Sequence, residues 1–138
     1  MSRIVVPLLL AVALAGCGQA AGDSSERFQG SERAVADVVE DLQRAGEREE
    51  PAVICDEILT QDLVRALDEA GTTCREEMTK AIKDADDFDL RVRDVTVTGQ
   101  TARATVERRQ GAGEETTVFE FRLVNGQWRA SSLAPSAS

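Results

Sequence analysis

The chain has 138 residues, with 16 basic and 25 acidic side chains and a formal charge of −9, which is one domain's worth of protein with the wrong sign for gripping a nucleic-acid backbone. It contains no His and no Tyr, so the usual general base, the commonest metal ligand and the phenolic acid are missing, and most hydrolytic and zinc chemistry goes with them. A hydrophobic fraction of 42%, rich in Val, Leu, Ile and Ala, is still sufficient for a packed core.

Residues 1–17 run in the order charge, grease, small residues, cysteine: Arg3, an apolar stretch over 4–14 broken by Pro7, then Leu14-Ala15-Gly16-Cys17. The stretch is too short to span a hydrocarbon core of about 30 Å and suits the h-region of a secretory signal. The last four residues resemble the bacterial lipobox. That resemblance implies a signal peptide over 1–16, cleavage before Cys17 and a diacylglycerol on its thiol. The protein is then expected to be a palmitate-type lipoprotein on the extracytoplasmic face of the cell membrane, with an ordinary secretory signal and a chance cysteine as the alternative. Two or three acyl chains anchor stably, at ~0.8 kcal/mol per buried methylene. Residues 17–30 show no apolar periodicity and read as a tether, holding the domain on the order of 20 Å from the lipid. So acidic a domain is repelled by an anionic membrane surface, which leaves the lipid as the anchor.

With Cys17 acylated, Cys55 and Cys74 remain, and an even remainder in an oxidising compartment argues for one disulfide. Free buried thiols or thiol chemistry are the alternatives. The pair has no His to complete a zinc site, and its spacing is not that of a redox motif.

Ser31 is placed to cap a first helix whose apolar positions Val35, Val38, Val39 and Leu42 follow the helical period, with Gly46 near its end. Pro51 suits the first turn of a short helix carrying Ile54, Cys55, Ile58 and Leu59. Thr60 restarts the chain, Leu63, Val64 and Leu67 line the next helical face, and Gly71 supplies a left-handed stop. Thr73 and Glu76 have capping-box spacing ahead of Met78, Ala81, Ile82 and Ala85.

From Leu90 the apolar period falls from 3.6 to 2. Leu90 and Val92 share one parity and Val95 and Val97 the other, so a bulge or bend is expected near Arg93-Asp94. Ala102, Ala104 and Val106 alternate with polar residues, as do Thr117, Phe119, Phe121 and Leu123, and Trp128 and Ala130 continue the apolar face. Turns fall at Gly99-Gln100, at residues 111–113 and at Asn125-Gly126, the last a type I′ hairpin signal. The expected fold is α+β, three to four N-terminal helices packed on a curved four-stranded antiparallel sheet. The solvent face would carry Arg91, Arg103, Glu107, Glu120, Arg122 and Arg129, which pair across strands in solvent or serve a ligand.

Amphipathic helices followed by a bent meander that closes on Asn125-Gly126-Gln127-Trp128-Arg129 resemble the nuclear transport factor 2-like, or cystatin-like, cone fold. The chain is similar to small actinobacterial lipoproteins that pair a Cys-containing helix with a second Cys some twenty residues on. The likeness covers residues 31–134 as a single domain. Relatives of this fold include isomerases, dehydratases, polyketide cyclases and non-enzymatic accessory domains, so it assigns no activity.

Catalytic cones resemble one another in placing an Asp or His base, often with a Tyr donor, inside the pocket. Here the concave face offers no acid unless Asp94 turns inward from the bulge, so no catalytic residue, cofactor or metal is expected. The Asp84, Asp86, Asp87, Asp89 cluster fails the EF-hand test, with Asp89 where Gly is required and Val95 where Glu is required. Two readings remain. One is a binding module for a small apolar ligand, lined by Val92, Ala102, Ala104, Phe119, Phe121 and Trp128. The other is a protein-interaction or structural part of the cell envelope without a ligand pocket. A cavity above about 300 Å³ under the helices favours the first, and a filled cone favours the second.

Overall fold

Val35, Ala36, Val39, Leu42 and Ala45 fall on one face of α1 (Gly30–Glu47), and that face is what the sheet needs covered. In this computed structural model, which describes residues 24–85, 88–110 and 112–133, α1 lies across the sheet and its apolar side chains join one buried cluster with Val92, Val95, Ala102, Ala104, Val106 and Phe121. The helix begins one residue before Ser31. Gln29 takes the cap position without a side-chain bond, so Ser31 is not the cap.

Gly46 lies near the end of α1, as expected. It lies inside the helix, and the left-handed exit is made by Glu49 at φ +56°. A Cβ at Gly46 would sit 2.8 Å from Phe88 Cγ and closer still to the edge of that ring, so the glycine serves close packing and not a turn.

Pro51 opens α2 (Pro51–Val53), which widens at once into a π-turn over Ile54–Ile58. Leu59 N–H reaches back to Ile54 C=O at 3.0 Å. The wider turn lets Ile54, Cys55, Ile58 and Leu59 all point inward, each 4% exposed or less. Thr60 caps α3 (Gln61–Glu69) by accepting from Leu63 N–H at 3.2 Å. Gly71 turns the chain at φ +91°, and the Thr73–Glu76 capping box opens α4 (Cys74–Asp84) with both reciprocal bonds made.

Cys55 and Cys74 form a disulfide across a Cα separation of 6.0 Å. It fastens α4 to the π-turn, and Arg75 and Asp56, the next residues along, pair at 3.3 Å beside it.

Four antiparallel strands follow in the order β1-β2-β3-β4: β1 (Leu90–Thr98), β2 (Thr101–Gln110), β3 (Gly113–Val124) and β4 (Gln127–Ser132). The parity change in β1 is a bulge between Val92 and Asp94. It returns Val95 to the core and leaves Asp94 in solvent, so no carboxylate enters the concave face there. Asn125 and Gly126 at φ +51° and +79° make the β3–β4 hairpin.

Residues 24–28, expected in the tether, belong to the domain. Ser24 Oγ accepts from Val92 N–H at 3.1 Å, Ser25 N–H donates to Glu40 at 2.8 Å, and Arg27 donates to Val92 and Arg93 carbonyls at the bulge. Backbone groups on the free edge of β1 at the bulge find partners in this segment, and Phe28 packs against the core.

Candidate functional site

Val92, Ala102, Ala104 and Phe121 are 0 to 3% exposed beneath α1 and line none of the clefts described below. Val35, Ala36 and Val39 of α1 belong to the same buried cluster as the two alanines, so a closely approaching helix accounts for their small size. Of the six residues expected to line one pocket, Phe119 and Trp128 border clefts described below, and they border different ones.

Phe119 borders an apolar pocket of about 200 Å³ between α1, α4 and the sheet, with Leu42, Ile54, Met78, Ile82, Phe88 and Leu133 around it. Arg108 stands at its rim, held by Glu115 through two bonds at 2.8 and 3.1 Å.

Trp128 borders a larger groove, about 670 Å³, between α1, α2 and the outer edge of β4. Val38, Val53, Ile58 and the half-buried indole supply apolar lining, and Asp41, Arg44, Arg48, Glu50, Glu57 and Arg129 supply charged lining. The edge of β4 is covered only in part. Ala130 C=O accepts from Thr60 N–H at 2.9 Å, while Trp128, two residues earlier and of the same parity, has no backbone partner outside the sheet among the described residues. Arg129 Nη1 donates to Asp56 C=O at 3.0 Å and Leu59 C=O at 3.3 Å, locking the strand to the π-turn. This groove escaped sequence reasoning because its lining comes from three separated segments, although the exposed parity of β4 and the polar flank of Val38 were both readable.

The outer face of the sheet is laced with ion pairs. Arg93 pairs with Glu107, whose hydrogen bond first and charge second raise the guanidinium pKa, and Arg103 pairs with Glu120. Of the aspartate cluster, Asp89 pairs with Arg91 at 3.3 Å and Arg109 at 3.9 Å, Asp84 is exposed at the end of α4, and residues 86 and 87 lie outside the described residues. Among the described residues no group of three or more His, Cys, Asp or Glu could hold a metal ion, and no helix is long and apolar enough to cross a membrane. Cys17, the expected lipidation site, and the signal peptide over 1–16 lie outside the described residues.

No family model matches the chain, and no curated protein matches it either. Solved structures similar in shape include the following two. A SEC-C motif-containing protein from Rhodopseudomonas palustris aligns with a TM-score of 0.57 at 18% identity, over 78% of this chain and 81% of its own. A de novo designed protein of the nuclear transport factor 2 (NTF2) fold aligns with a TM-score of 0.53 at 20% identity, over 76% of this chain and 87% of its own. At such identities the likeness speaks to the fold alone. Four helices followed by a four-stranded antiparallel meander give this chain an α+β architecture similar to the NTF2 fold.

Proposed function

We propose that the protein is a lipid-anchored, extracytoplasmic domain that works by docking another protein in the groove beside β4, with no chemistry of its own. The observation that carries this reading is the groove, lined by Val38, Val53, Ile58, Trp128 and Arg129 beside a partly uncovered strand edge, while the apolar face of α1 joins the buried cluster on the concave side of the sheet. Trp and Arg are the side chains that most often dominate protein interfaces, and a strand edge adds main-chain hydrogen bonds. The lipobox-like Leu14-Ala15-Gly16-Cys17 supports the anchor, and a bonded Cys55–Cys74 pair supports an oxidising compartment. The lack of His and Tyr supports a non-enzymatic role.

The test is co-purification from detergent-solubilised membranes of the native host. The full chain retains a discrete protein that Trp128→Ala loses, and Cys17→Ala moves the chain out of the membrane fraction. Equal recovery with Trp128→Ala refutes the groove, and a membrane-bound, lipid-carrying Cys17→Ala chain refutes the anchor.

The apolar pocket of about 200 Å³ favours a second reading, in which a ring-sized apolar group binds beside Met78 and Phe119. It is below the ~300 Å³ at which pockets for larger ligands begin, but in the range where an apolar cavity takes up benzene. Benzene-induced NMR shifts confined to Met78, Ile82 and Phe119 would support this reading.

A further inference from the structure

Five of the seven strand arginines sit against Asp89, Glu107, Glu115 or Glu120. Arg122 and Arg129 do not: no carboxylate pairs with either among the described residues, although the chain holds 25 acids to 16 bases. The two are register partners across β3 and β4, where like charges repel and cost stability. Arg129 is aimed by its two carbonyl bonds through Nη1, and among the described residues its other N–H groups have no partner; Arg122 is exposed and has no hydrogen bond among the described residues.

Between them opens a cleft of about 520 Å³, bordered also by Thr60, Gln61, Gln100 and Asn125. Thr60 Oγ1 accepts the capping bond from Leu63, so its own O–H remains free to donate, and the three amides can donate as well. One carboxylate, Asp62, borders the cleft and is paired with Arg65 at 2.6 Å.

We propose that this cleft binds a small solute through its phosphate group, held by Arg122 and Arg129. Two guanidinium groups side by side place two positive charges and several N–H donors on one bound group, which the three oxygens and nearly double negative charge of a phosphate monoester match better than the two oxygens and single charge of a carboxylate. The cleft has room for the rest of a small organic solute. The site is distinct from the protein-docking groove. Arg129 borders both, so Arg122 is the residue that separates them.

The test uses the full chain in maltoside micelles, which carry no phosphate, titrated with inorganic phosphate against chloride at matched ionic strength. Phosphate is expected to shift the amides of Thr60, Thr101 and Asn125 saturably, and Arg122→Gln to weaken that binding by about tenfold or more, with Arg122→Lys between the two. Without phosphate, Arg122→Gln should be as stable as the parent or more so, since it relieves the like-charge pair. Shifts equal to those in chloride, undiminished binding by Arg122→Gln, or acetate binding as tightly as phosphate would each overturn the proposal.

Discussion

Gly46→Ala sets two known effects against each other at one atom. Replacing glycine by alanine inside a helix favours folding by about 1 kcal/mol, and at an exposed site that would be the result. Here the new methyl meets the Phe88 ring, 2.8 Å from Cγ, and overpacking of this kind costs roughly 1–3 kcal/mol. The net expectation is a loss of about 1 kcal/mol, a fall in Tm of roughly 4–8 °C for a domain of this size. Removing the obstacle should reverse the sign. In a Phe88→Ala background Gly46→Ala should stabilise by about 1 kcal/mol, so the coupling between the two sites comes to roughly 2 kcal/mol. Urea denaturation of the parent, both single variants and the double variant, under non-reducing conditions, measures all four corners. If Gly46→Ala stabilises the parent, Phe88 has swung into the neighbouring apolar pocket without cost, and the close-packing account of Gly46 is wrong.

Reduction of the Cys55–Cys74 bridge, or Cys55→Ser with Cys74→Ser, should cost about 3 kcal/mol, because the separation of 19 residues sets the loop whose entropy it restrains; an unchanged urea midpoint would contradict this. Thr117 Oγ1 is buried without a partner among the described residues, so Thr117→Val should leave stability unchanged or raise it by about 1 kcal/mol in the same assay, and a marked loss would mean the hydroxyl has a partner after all. Ala104→Leu should destabilise by roughly 1–3 kcal/mol if α1 fills the cone, whereas a neutral or stabilising result would reveal a cavity there. Thr73→Ala removes one half of the capping box and should cost about 1 kcal/mol, seen as a lowered melting temperature and weaker amide protection at the start of α4.

The features that were legible beforehand are those written locally. Capping-box spacing at Thr73 and Glu76, the Asn125-Gly126 turn and the parity slip at Arg93-Asp94 each reflect a constraint spanning a few residues, and each appears in the structure. What was not legible depends on partners far along the chain. Gly46 was legible near the end of its helix, but its close neighbour Phe88 is invisible to local pattern. Residues 24–28 looked like tether because their composition is polar, yet the open backbone groups of the β1 bulge give Ser24 and Arg27 something to hold. Ala102 and Ala104 admitted either a pocket or a closely approaching helix, and only the placement of α1 decides between them. The Trp128 groove and the Arg122–Arg129 cleft are assembled from separate segments, so strand parity could mark their residues as outward-facing but could not bring them together.

The groove beside β4 is tested most directly by site-specific photo-crosslinking in intact membranes. A photoreactive phenylalanine analogue is placed at Ala34 or Gln127 on the groove, and at Thr79 on α4 or Thr96 on the outer sheet face. The account predicts one discrete protein adduct from Ala34 and Gln127, none from Thr79 and Thr96, and its disappearance when Trp128→Ala is added. Adducts of equal yield from all four positions, or groove adducts that survive Trp128→Ala, would contradict it.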